Sequence, residues 1–226
     1  SFHESIKREV EMNIKGNIEN NVDKLAINCY KMMKNMYGKE YSEFLNMFYG
    51  IHVSKIISKE SDYESSSPEP FFMLNLPIGG ENTLEESIKL YTEKEELEDK
   101  IINDDTKNKE FATKQIVFWN LPNILIVTLK RFNNNNEKNS EMVDFPIDNF
   151  DLSKYVVGYN KNSYVYDLFG ICNHTGGVAG GHYTSFVKNA NGNWYHFNDT
   201  NVNKVNESDI KTNMAYCFFY RKKILQ

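Results

Sequence analysis

Hydrophobic residues recur at helical spacing through the first fifty positions of the chain. Three stripes follow one another, and their members are Phe2, Ile6, Val10 and Ile14, then Leu25, Cys29, Met32, Met33 and Met36, and finally Tyr41, Phe44, Leu45 and Phe48. Residues three or four positions apart share one helix face, so each stripe predicts an amphipathic helix. Asn21 or Asp23 is the predicted N-cap of the second helix. Gly50 ends the third helix at a position that favours glycine.

The pattern changes to that of strands after residue 50. Segments rich in β-branched and aromatic residues predict strands over 53–57, 71–76, 116–119, 124–132, 164–172, 183–188, 194–197 and 215–221. A short helix is predicted over 83–91, where Thr83 and Glu86 form the pattern of a capping box. The segment 124–132 is apolar enough to predict a central, buried strand. Helices first and strands afterwards predict the α+β class.

Composition and charge narrow the classes of function. With 40% hydrophobic and 14% aromatic residues, the 226-residue chain is predicted to be globular. Its formal net charge of −5 argues against a nucleic-acid-binding protein. No stretch approaches the roughly 18–20 apolar residues that cross a bilayer, and the first residues lack the apolar segment typical of a secretory signal. We therefore expect neither nucleic acid nor a membrane among its partners.

Three cysteines, Cys29, Cys172 and Cys217, are too few for a disulfide framework, and none belongs to a CxxC pair. Free thiols are typical of a reducing compartment. We therefore expect a cytoplasmic or nuclear protein without a thiolate metal site.

The segment HYTSFVKNANGNWYHFND (182–199) has the pattern of a β-hairpin, with an Asn-Gly pair between two strand-like arms. A turn centred near positions 190 and 191 places His182 opposite Asn198 or Asp199. Cross-strand neighbours have Cβ atoms about 4.5–5.5 Å apart, so an amide or carboxylate there can orient an imidazole base. A shift of one residue in register exchanges the two candidates. A surface histidine beside a surface aspartate, without catalytic role, is the alternative.

Eight sequence words occur along the chain in an order typical of one enzyme family. They are FYG (48–50), PFFMLNLPI (70–78), TLEESIKLYTEKEEL (83–97), LPNILIVTLKRF (121–132), VDFPIDNFDLSKYV (143–156), YDLFGICNHTGGVAGGHYTSFVKN (166–189), GNWYHFNDTNV (192–202) and AYCFFYRK (215–222). Together they resemble the histidine-box half of the ubiquitin-specific proteases, which are papain-like cysteine proteases that remove ubiquitin. The resemblance extends from about residue 41 to residue 222.

This resemblance implies a papain-like cysteine protease fold of the α+β class, with a partial helical thumb, β-rich fingers and a palm. It implies a single catalytic domain, incomplete at its N-terminus, with the thumb part at 1–50, mainly fingers at 51–118, and mainly palm with the histidine box at 119–226. The implied activity is hydrolysis of the bond after the C-terminal glycine of ubiquitin, without a cofactor. Ubiquitin, ubiquitinated proteins and the missing N-terminal segment are the implied partners.

The resemblance also assigns catalytic residues. His182 falls on the family's catalytic histidine, Asn198 on the third member of the triad, and Asp199 on the acidic residue that follows. A cysteine protease acts through a thiolate–imidazolium pair, so a neutral amide can serve to orient the imidazole. The resemblance therefore favours Asn198 as the orienting residue and Asp199 as a supporting carboxylate.

Substrate-binding residues follow from the same resemblance. The loops 133–141 and 176–181 resemble loops that cover the channel for the ubiquitin tail. Gly180 and Gly181 are predicted to admit this tail, because glycine permits close approach of a backbone. His174 and Tyr183 are predicted to line the channel, and an exposed loop position is the alternative for His174.

The nucleophile has no clear place in this sequence. The family's cysteine lies in a word resembling Gly-Asn-Thr-Cys-Tyr, and AINCYKMM (26–33) is the candidate. Cys29, however, lies in the middle of a predicted helix, whereas a reactive thiol is typical of a helix N-terminus. We therefore expect the nucleophile to lie outside this chain and Cys172 and Cys217 to be structural. A catalytically inactive, ubiquitin-binding homologue is the alternative.

Many family members bind zinc in the finger region through two CxxC pairs. The corresponding positions here are Ser58, Ser61, Asn103 and Thr106. Hydroxyl and amide groups do not replace four thiolates around Zn²⁺. We therefore expect no structural zinc.

Overall fold

The computed structural model describes residues 2–224 of the chain. Within this range lie four α-helices, α1 (Phe2–Ile6), α2 (Asn21–Tyr37), α3 (Glu43–Phe48) and α4 (Leu84–Thr92). The same range contains fourteen strands: β1 (Gly50–Ser58), β2 (Glu64–Phe71), β3 (Met73–Leu76), β4 (Glu95–Glu96), β5 (Ile101–Ile102), β6 (Lys109–Glu110), β7 (Ala112–Asn120), β8 (Ile124–Leu129), β9 (Phe150–Asp151), β10 (Val165–Gly177), β11 (Gly180–Lys188), β12 (Trp194–Asn198), β13 (Asn201–Val205) and β14 (Ala215–Lys222). None of the described helices is long and apolar enough to cross a membrane.

The described residues divide into two units, each with its own main sheet. The first unit comprises the described residues up to Phe71 together with Thr92–Pro122 and Ser153–Asn162. The second comprises Phe72–Tyr91, Asn123–Leu152 and the described residues from Ser163 onward. The division into thumb, fingers and palm at residues 50 and 118 stays a prediction.

Helix α2 begins with a capping box. The side-chain oxygen of Asn20 accepts hydrogen bonds from the N–H groups of Val22 (2.8 Å) and Asp23 (3.1 Å), and the Asp23 carboxylate accepts from the N–H of Asn20 (3.1 Å). The reciprocal pair satisfies backbone donors that the first helical turn leaves free. The prediction of Asn21 or Asp23 as the N-cap is therefore wrong, although Asp23 completes the box.

The first predicted helix is much shorter than its hydrophobic stripe. Helix α1 ends at Ile6, and Arg8 then exchanges two backbone hydrogen bonds with Tyr41, of 2.9 and 3.0 Å. The N–H of Val10 donates to the carbonyl of Gly38 at 2.8 Å. These long-range bonds use backbone donors that a helix continuing to residue 14 would need, so the chain leaves the helix after one turn.

The apolar face of α2 packs on the sheet of the first unit, whose strand order is β2-β1-β7-β4. The buried cluster consists of Leu25, Ala26, Cys29, Ile51, Val53 and Trp119. Met32 and Met33 pack at its margin. The second predicted stripe is thus confirmed as a core-facing helix, since it has an apolar sheet face to cover.

Strand β2 was not predicted, because its sequence ESSSPEPF is polar and contains two prolines. It pairs antiparallel with β1 from Gly50 opposite Phe71 to Ile57 opposite Glu64. Proline has no N–H to donate, and an edge strand tolerates this because one of its sides has no neighbouring strand. The prediction of one strand over 71–76 is wrong, since β2 ends at Phe71 and β3 belongs to the other sheet.

The sheet of the second unit has the order β13-β12-β11-β10-β14-β8-β3, and β9 pairs with β10. All neighbours are antiparallel except β3 and β8. The fully buried side chains of this unit include Leu74, Leu125, Val127, Phe145, Tyr166 and Phe218. Strand β8 lies between two neighbours and is buried along most of its length, which confirms the predicted central strand.

The predicted hairpin of β11 and β12 is present with a different register. Ser185 lies opposite Phe197, and the connection is a loop over 189–193 in which the N–H of Asn189 donates to the carbonyl of Asn193 at 3.0 Å. This loop is longer than the tight turn predicted at 190 and 191. Extended along β11, the register places His182 opposite residue 200. Neither Asn198 nor Asp199 is its direct cross-strand partner, so the predicted register is wrong.

Candidate active site

His182 and Asn198 meet through their side chains despite the shifted register. Nε2 of His182 lies 2.7 Å from Oδ1 of Asn198. In the observed register the two residues are diagonal neighbours on one face of the sheet, a spacing of about 7–8 Å that long side chains bridge. The main chain adds a contact, because the hydroxyl of Thr175 donates to the carbonyl of His182 at 3.3 Å. The histidine is thus held by both its ring and its backbone.

The hydrogen bond determines which nitrogen of His182 can act as a base. An amide oxygen only accepts, so Nε2 carries the proton and donates it to Asn198. The neutral ring then has Nδ1 as its proton acceptor. A base oriented in this way by a neutral group is the arrangement that general-base activation of a thiol requires.

Asp199 approaches the same nitrogen without bonding to it. Its Oδ2 lies 4.0 Å from Nε2 of His182, and its backbone has a positive φ of 51° at the end of β12. The side chains of His182 and Asp199 are 48% and 76% exposed. Because solvent screens exposed charges, Asp199 contributes only a weak electrostatic attraction for a positively charged imidazole.

His174 is buried in strand β10, so an exposed loop position, the alternative considered for it, is wrong. Its ring centroid lies 4.7 Å from that of Tyr183, 5.7 Å from that of Tyr216 and 5.9 Å from that of Phe132. Nζ of Lys138 lies 3.1 Å from its Nδ1. Burial, and then the positive charge of Lys138, lower the pKa of His174. The ring is therefore a neutral member of an aromatic cluster.

The segment predicted as the loop 176–181 is mostly the tip of a regular hairpin. Strand β10 continues to Gly177 and β11 begins at Gly180. Gly180 has open space where a Cβ atom would lie, whereas a Cβ on Gly181 would collide with the His174 ring. Tyr183, by contrast, is 58% exposed. The structure thus places His174, Gly181 and Tyr183 together, with Gly180 at the solvent-facing tip.

Two cationic side chains that the sequence did not single out hold the loop 133–141. Arg131 is only 1% exposed; its Nε donates to the carbonyl of Ala215 (2.8 Å) and its Nη1 to those of Asn139 (3.0 Å) and Glu141 (2.9 Å). Lys138 reaches His174. A charged residue at the end of the apolar segment 124–132 was the available signal for Arg131, since buried arginine requires partners. Lys138 stands in a polar run that gives no such signal.

None of the three thiols has the environment of a reactive cysteine. Cys29 is fully buried in the middle of α2, and burial raises the pKa of its thiol to about 12. Burial likewise raises the pKa of Cys217 to about 12 and raises that of Cys172. A nucleophilic thiol requires a lowered pKa, because the thiolate is the reacting form.

Comparison with known proteins identifies the family. A family model described as ubiquitin carboxyl-terminal hydrolase matches residues 3–220. The chain belongs to this family. Ubiquitin carboxyl-terminal hydrolase 9 of Arabidopsis thaliana is 39% identical over 175 residues, which cover 72% of this chain and 19% of that protein. Ubiquitin carboxyl-terminal hydrolase 15 of Homo sapiens is 39% identical over 146 residues, which cover 62% of this chain and 15% of that protein.

Solved structures of this family have the same fold. The chain is similar to the SAGA DUB module Ubp8/Sgf11/Sus1/Sgf73 bound to monoubiquitin, with 28% identity, a TM-score of 0.71, and coverage of 80% of this chain and 42% of that chain. A yeast SAGA DUB module with an Sgf73 variant gives 26% identity, a TM-score of 0.74, and coverage of 88% and 46%. The predicted family and its α+β papain-like fold are thus confirmed. The chain spans less than half of these structures.

The four residues predicted to lie at the family's zinc-binding positions have a different arrangement here. The hydroxyls of Ser58 and Ser61 donate to Oε2 of Glu110 at 2.6 and 2.7 Å, and Nδ2 of Asn103 donates to its Oε1 at 2.8 Å. The fourth position, Thr106, donates only its backbone N–H to Oδ1 of Asn103, at 3.2 Å. Glu110 is 5% exposed.

These residues do not fit a zinc ion. A zinc site surrounds a cation with thiolates or imidazoles. Here neutral donors surround an anion, and their hydrogen bonds, those of Ser58 and Ser61 first, lower the pKa of Glu110. We name Ser58, Ser61, Asn103 and Glu110 the carboxylate cluster.

Proposed function

We propose that this chain is part of a thiol protease that hydrolyses the bond after the C-terminal glycine of ubiquitin. The hydrogen bond of 2.7 Å between His182 and Asn198 carries the proposal, because it orients the imidazole that the sequence resemblance assigns as the catalytic base. Membership of the ubiquitin carboxyl-terminal hydrolase family supports it. So does the similarity to a module that is bound to monoubiquitin.

In this proposal Nδ1 of His182 takes the proton of a cysteine thiol. The thiolate attacks the carbonyl carbon of the terminal glycine, and the imidazolium returns the proton to the leaving amine. His182 then deprotonates the water that hydrolyses the thioester. Asn198 fixes the ring throughout, and Asp199 stabilises its positively charged form.

We propose that the nucleophile belongs to a part of the protein outside these 226 residues. The raised pKa values of the three thiols support this, as does the position of Cys29 in the middle of a helix. A catalytically inactive ubiquitin-binding module is the second candidate, and the same raised pKa values favour it. The oriented base favours the protease, because binding alone has no use for a fixed imidazole.

Ubiquitin and ubiquitinated proteins are the proposed partners, together with the segment that supplies the nucleophile. His174, Gly180, Gly181 and Tyr183 would contact the ubiquitin tail, a role that the exposure of Tyr183 and the open space at Gly180 support. We propose a cytoplasmic or nuclear protein without a cofactor, in keeping with three free thiols. Nucleic acid and membranes are not among the proposed partners.

A ubiquitin derivative with an electrophile at its C-terminus tests this function, because it forms a covalent bond only with an activated thiol. We expect the full-length protein to be labelled and the 226-residue chain to remain unlabelled. His182→Gln in the full-length protein should abolish labelling, whereas His196→Gln, on the same hairpin, should preserve it.

Two outcomes would contradict the proposal. Labelling of the 226-residue chain that Cys29→Ala removes would make Cys29 the nucleophile. A full-length protein that binds ubiquitin but is never labelled would be the inactive module.

A further inference from the structure

Lys138 makes two contacts with a single residue. Its ammonium donates to the carbonyl of His174 at 2.6 Å and lies 3.1 Å from Nδ1 of the same histidine. Among the described residues no carboxylate forms a salt bridge with Lys138. Burial, and then the positive charge of Arg131, lower the pKa of Lys138. The charged form of Lys138 is therefore disfavoured by its surroundings, and its hydrogen-bonding contacts are with His174.

The contact fixes the state of the His174 ring. An ammonium group only donates, so Nδ1 must be the unprotonated acceptor and Nε2 must carry the proton. In the described structure the ring faces Lys138, Tyr183, Tyr216 and Phe132, and the positive charge of Arg131 acts on the lysine. Protonation of Nδ1 would set two positive donors against each other. The contact thus exists only while His174 is neutral.

The loop that carries Lys138 is closed on itself. The N–H of Asn139 donates to the carbonyl of Arg131 at 2.6 Å, and the N–H of Asn133 donates to that of Glu137 at 3.1 Å. Arg131 binds the end of the loop from inside through the carbonyls of Asn139 and Glu141. Lys138 then joins this closed loop to strand β10. The two cations have different tasks: Arg131 shapes the loop and Lys138 anchors it.

The opposite side of the His174 ring faces the catalytic strand. The ring fills the space beside Gly181, where a Cβ atom would collide with Nε2 and with the carbonyl of Thr175. It also packs against the Tyr183 ring. His182 lies between these two residues in the chain. The imidazole of His174 is thus placed between the Lys138 ammonium and the backbone that presents His182.

We propose that Lys138 is a positioning residue, which acts through His174 to fix the loop 133–141 and the segment 181–183 with its base His182. This proposal rests on the proposed function only in treating His182 as a catalytic base. The contacts that join Lys138, His174 and the segment 181–183 do not depend on ubiquitin. It also assigns His174 a role in support of the catalytic strand. Lys138 itself touches no reacting atom.

The link is tested on the 226-residue chain by NMR, with Lys138→Met, which keeps the aliphatic stem, and Lys130→Met as the exposed control. Lys138→Met should raise the pKa of His174 towards its ordinary value of about 6.5. Amide exchange at 133–141 and 181–183 should accelerate by about tenfold or more, because an anchor of local structure is lost. Lys130→Met should change neither quantity.

Unchanged His174 titration and unchanged amide protection in Lys138→Met would overturn the proposal. If that variant does not fold, the unmodified chain provides the test. Acidification should shift the amides of Lys138, Asn139 and Gly181 with the same midpoint as His174. Amides that do not follow this midpoint would equally overturn it.

Kinetics of the full-length protein with a ubiquitin substrate separates positioning from substrate binding. We expect Lys138→Met to lower kcat by about tenfold and to leave KM within about twofold, since a displaced base slows chemistry. A raised KM with unchanged kcat would make Lys138 a substrate contact and contradict the proposal. A full-length protein without ubiquitin hydrolysis would refute the proposed function and leave the NMR result standing.

Discussion

The ring of His174 occupies the space in which a side chain on Gly181 would lie. An added methyl group there would collide both with Nε2 of the ring and with the backbone carbonyl of Thr175. We expect Gly181→Ala to lower the free energy of unfolding by about 1–3 kcal/mol, the usual cost of overpacking. Chemical denaturation measures this loss.

Gly180→Ala is the matched control, because a Cβ atom at Gly180 meets open space. This variant should unfold at the same denaturant concentration as the unmodified chain, within about 0.5 kcal/mol. Equal losses for the two alanine variants would show that flexibility of the hairpin tip, and not the His174 ring, requires glycine.

Asn198→Ala removes the acceptor that orients His182. Turnover of a ubiquitin substrate by the full-length protein should fall by about a hundredfold, within the range of contributions from a positioned base. Stability should change by less than about 0.5 kcal/mol, because the bond lies at the surface. Activity that survives this change would remove Asn198 from the catalytic residues.

Asp199→Asn tests the weaker partner. Asparagine tolerates the positive φ at this position, so the substitution removes charge without adding backbone strain. Because the carboxylate is exposed and 4.0 Å from Nε2, we expect turnover to fall less than about threefold. A loss as large as that of Asn198→Ala would make Asp199 the orienting residue.

The pKa values of Cys29 and Cys217, near 12, predict inert thiols. At pH 8 iodoacetamide should alkylate both in the folded chain more than about a thousandfold more slowly than a free thiol of ordinary pKa. Mass spectrometry after timed alkylation measures the rates, and denatured chain gives the reference. Rapid modification of Cys29 in the folded chain would contradict this prediction and make Cys29 a candidate nucleophile again.

Glu110 predicts a specific dependence of stability on pH. Since its pKa is lowered in the folded state, its contribution is fully present above the unfolded value of about 4.3 and is lost as the pH falls through the folded value. Glu110→Gln should therefore be less stable than the unmodified chain at pH 7, with the difference shrinking below about pH 4. Thermal unfolding across this range measures it.

Glu98→Gln, a substitution at an exposed glutamate, is the control and should leave the unfolding midpoint at pH 7 unchanged. Neither a chelator nor added zinc should move the unfolding midpoint of the unmodified chain. Stabilisation by one equivalent of zinc would contradict the assignment of the carboxylate cluster.

The spacing of hydrophobic residues predicted the elements that only need an apolar surface to pack against. Helix α2 was found because its stripe covers a sheet face, and β8 because both of its faces are buried. The prediction of a helix over residues 2–14 was wrong because the backbones of Arg8 and Val10 form hydrogen bonds with Tyr41 and Gly38, far along the chain. Strand β2 was missed because its polar sequence gives no strand signal, and it is a strand only through its pairing with β1.

The site was predicted in part for a similar reason. His182 and Asn198 belong to one hairpin, so their proximity survived an error in register. The sequence carried a signal for Arg131 but none for Lys138, and it could not show their partners Ala215 and His174, which come from other parts of the chain. Nor could the sequence show that Ser58, Ser61 and Asn103 bind Glu110, because three donors from two segments converge on it only in the folded structure.

The carboxylate cluster determines which solution conditions affect the stability of this part of the protein. A metal site stabilises a fold in proportion to the logarithm of free metal relative to its dissociation constant, so its stability follows the composition of the surroundings. Glu110 is covalently part of the chain, so its contribution to stability does not depend on the concentration of a free ligand. The stability of the region around Glu110 should therefore depend on pH and not on the concentration of free zinc.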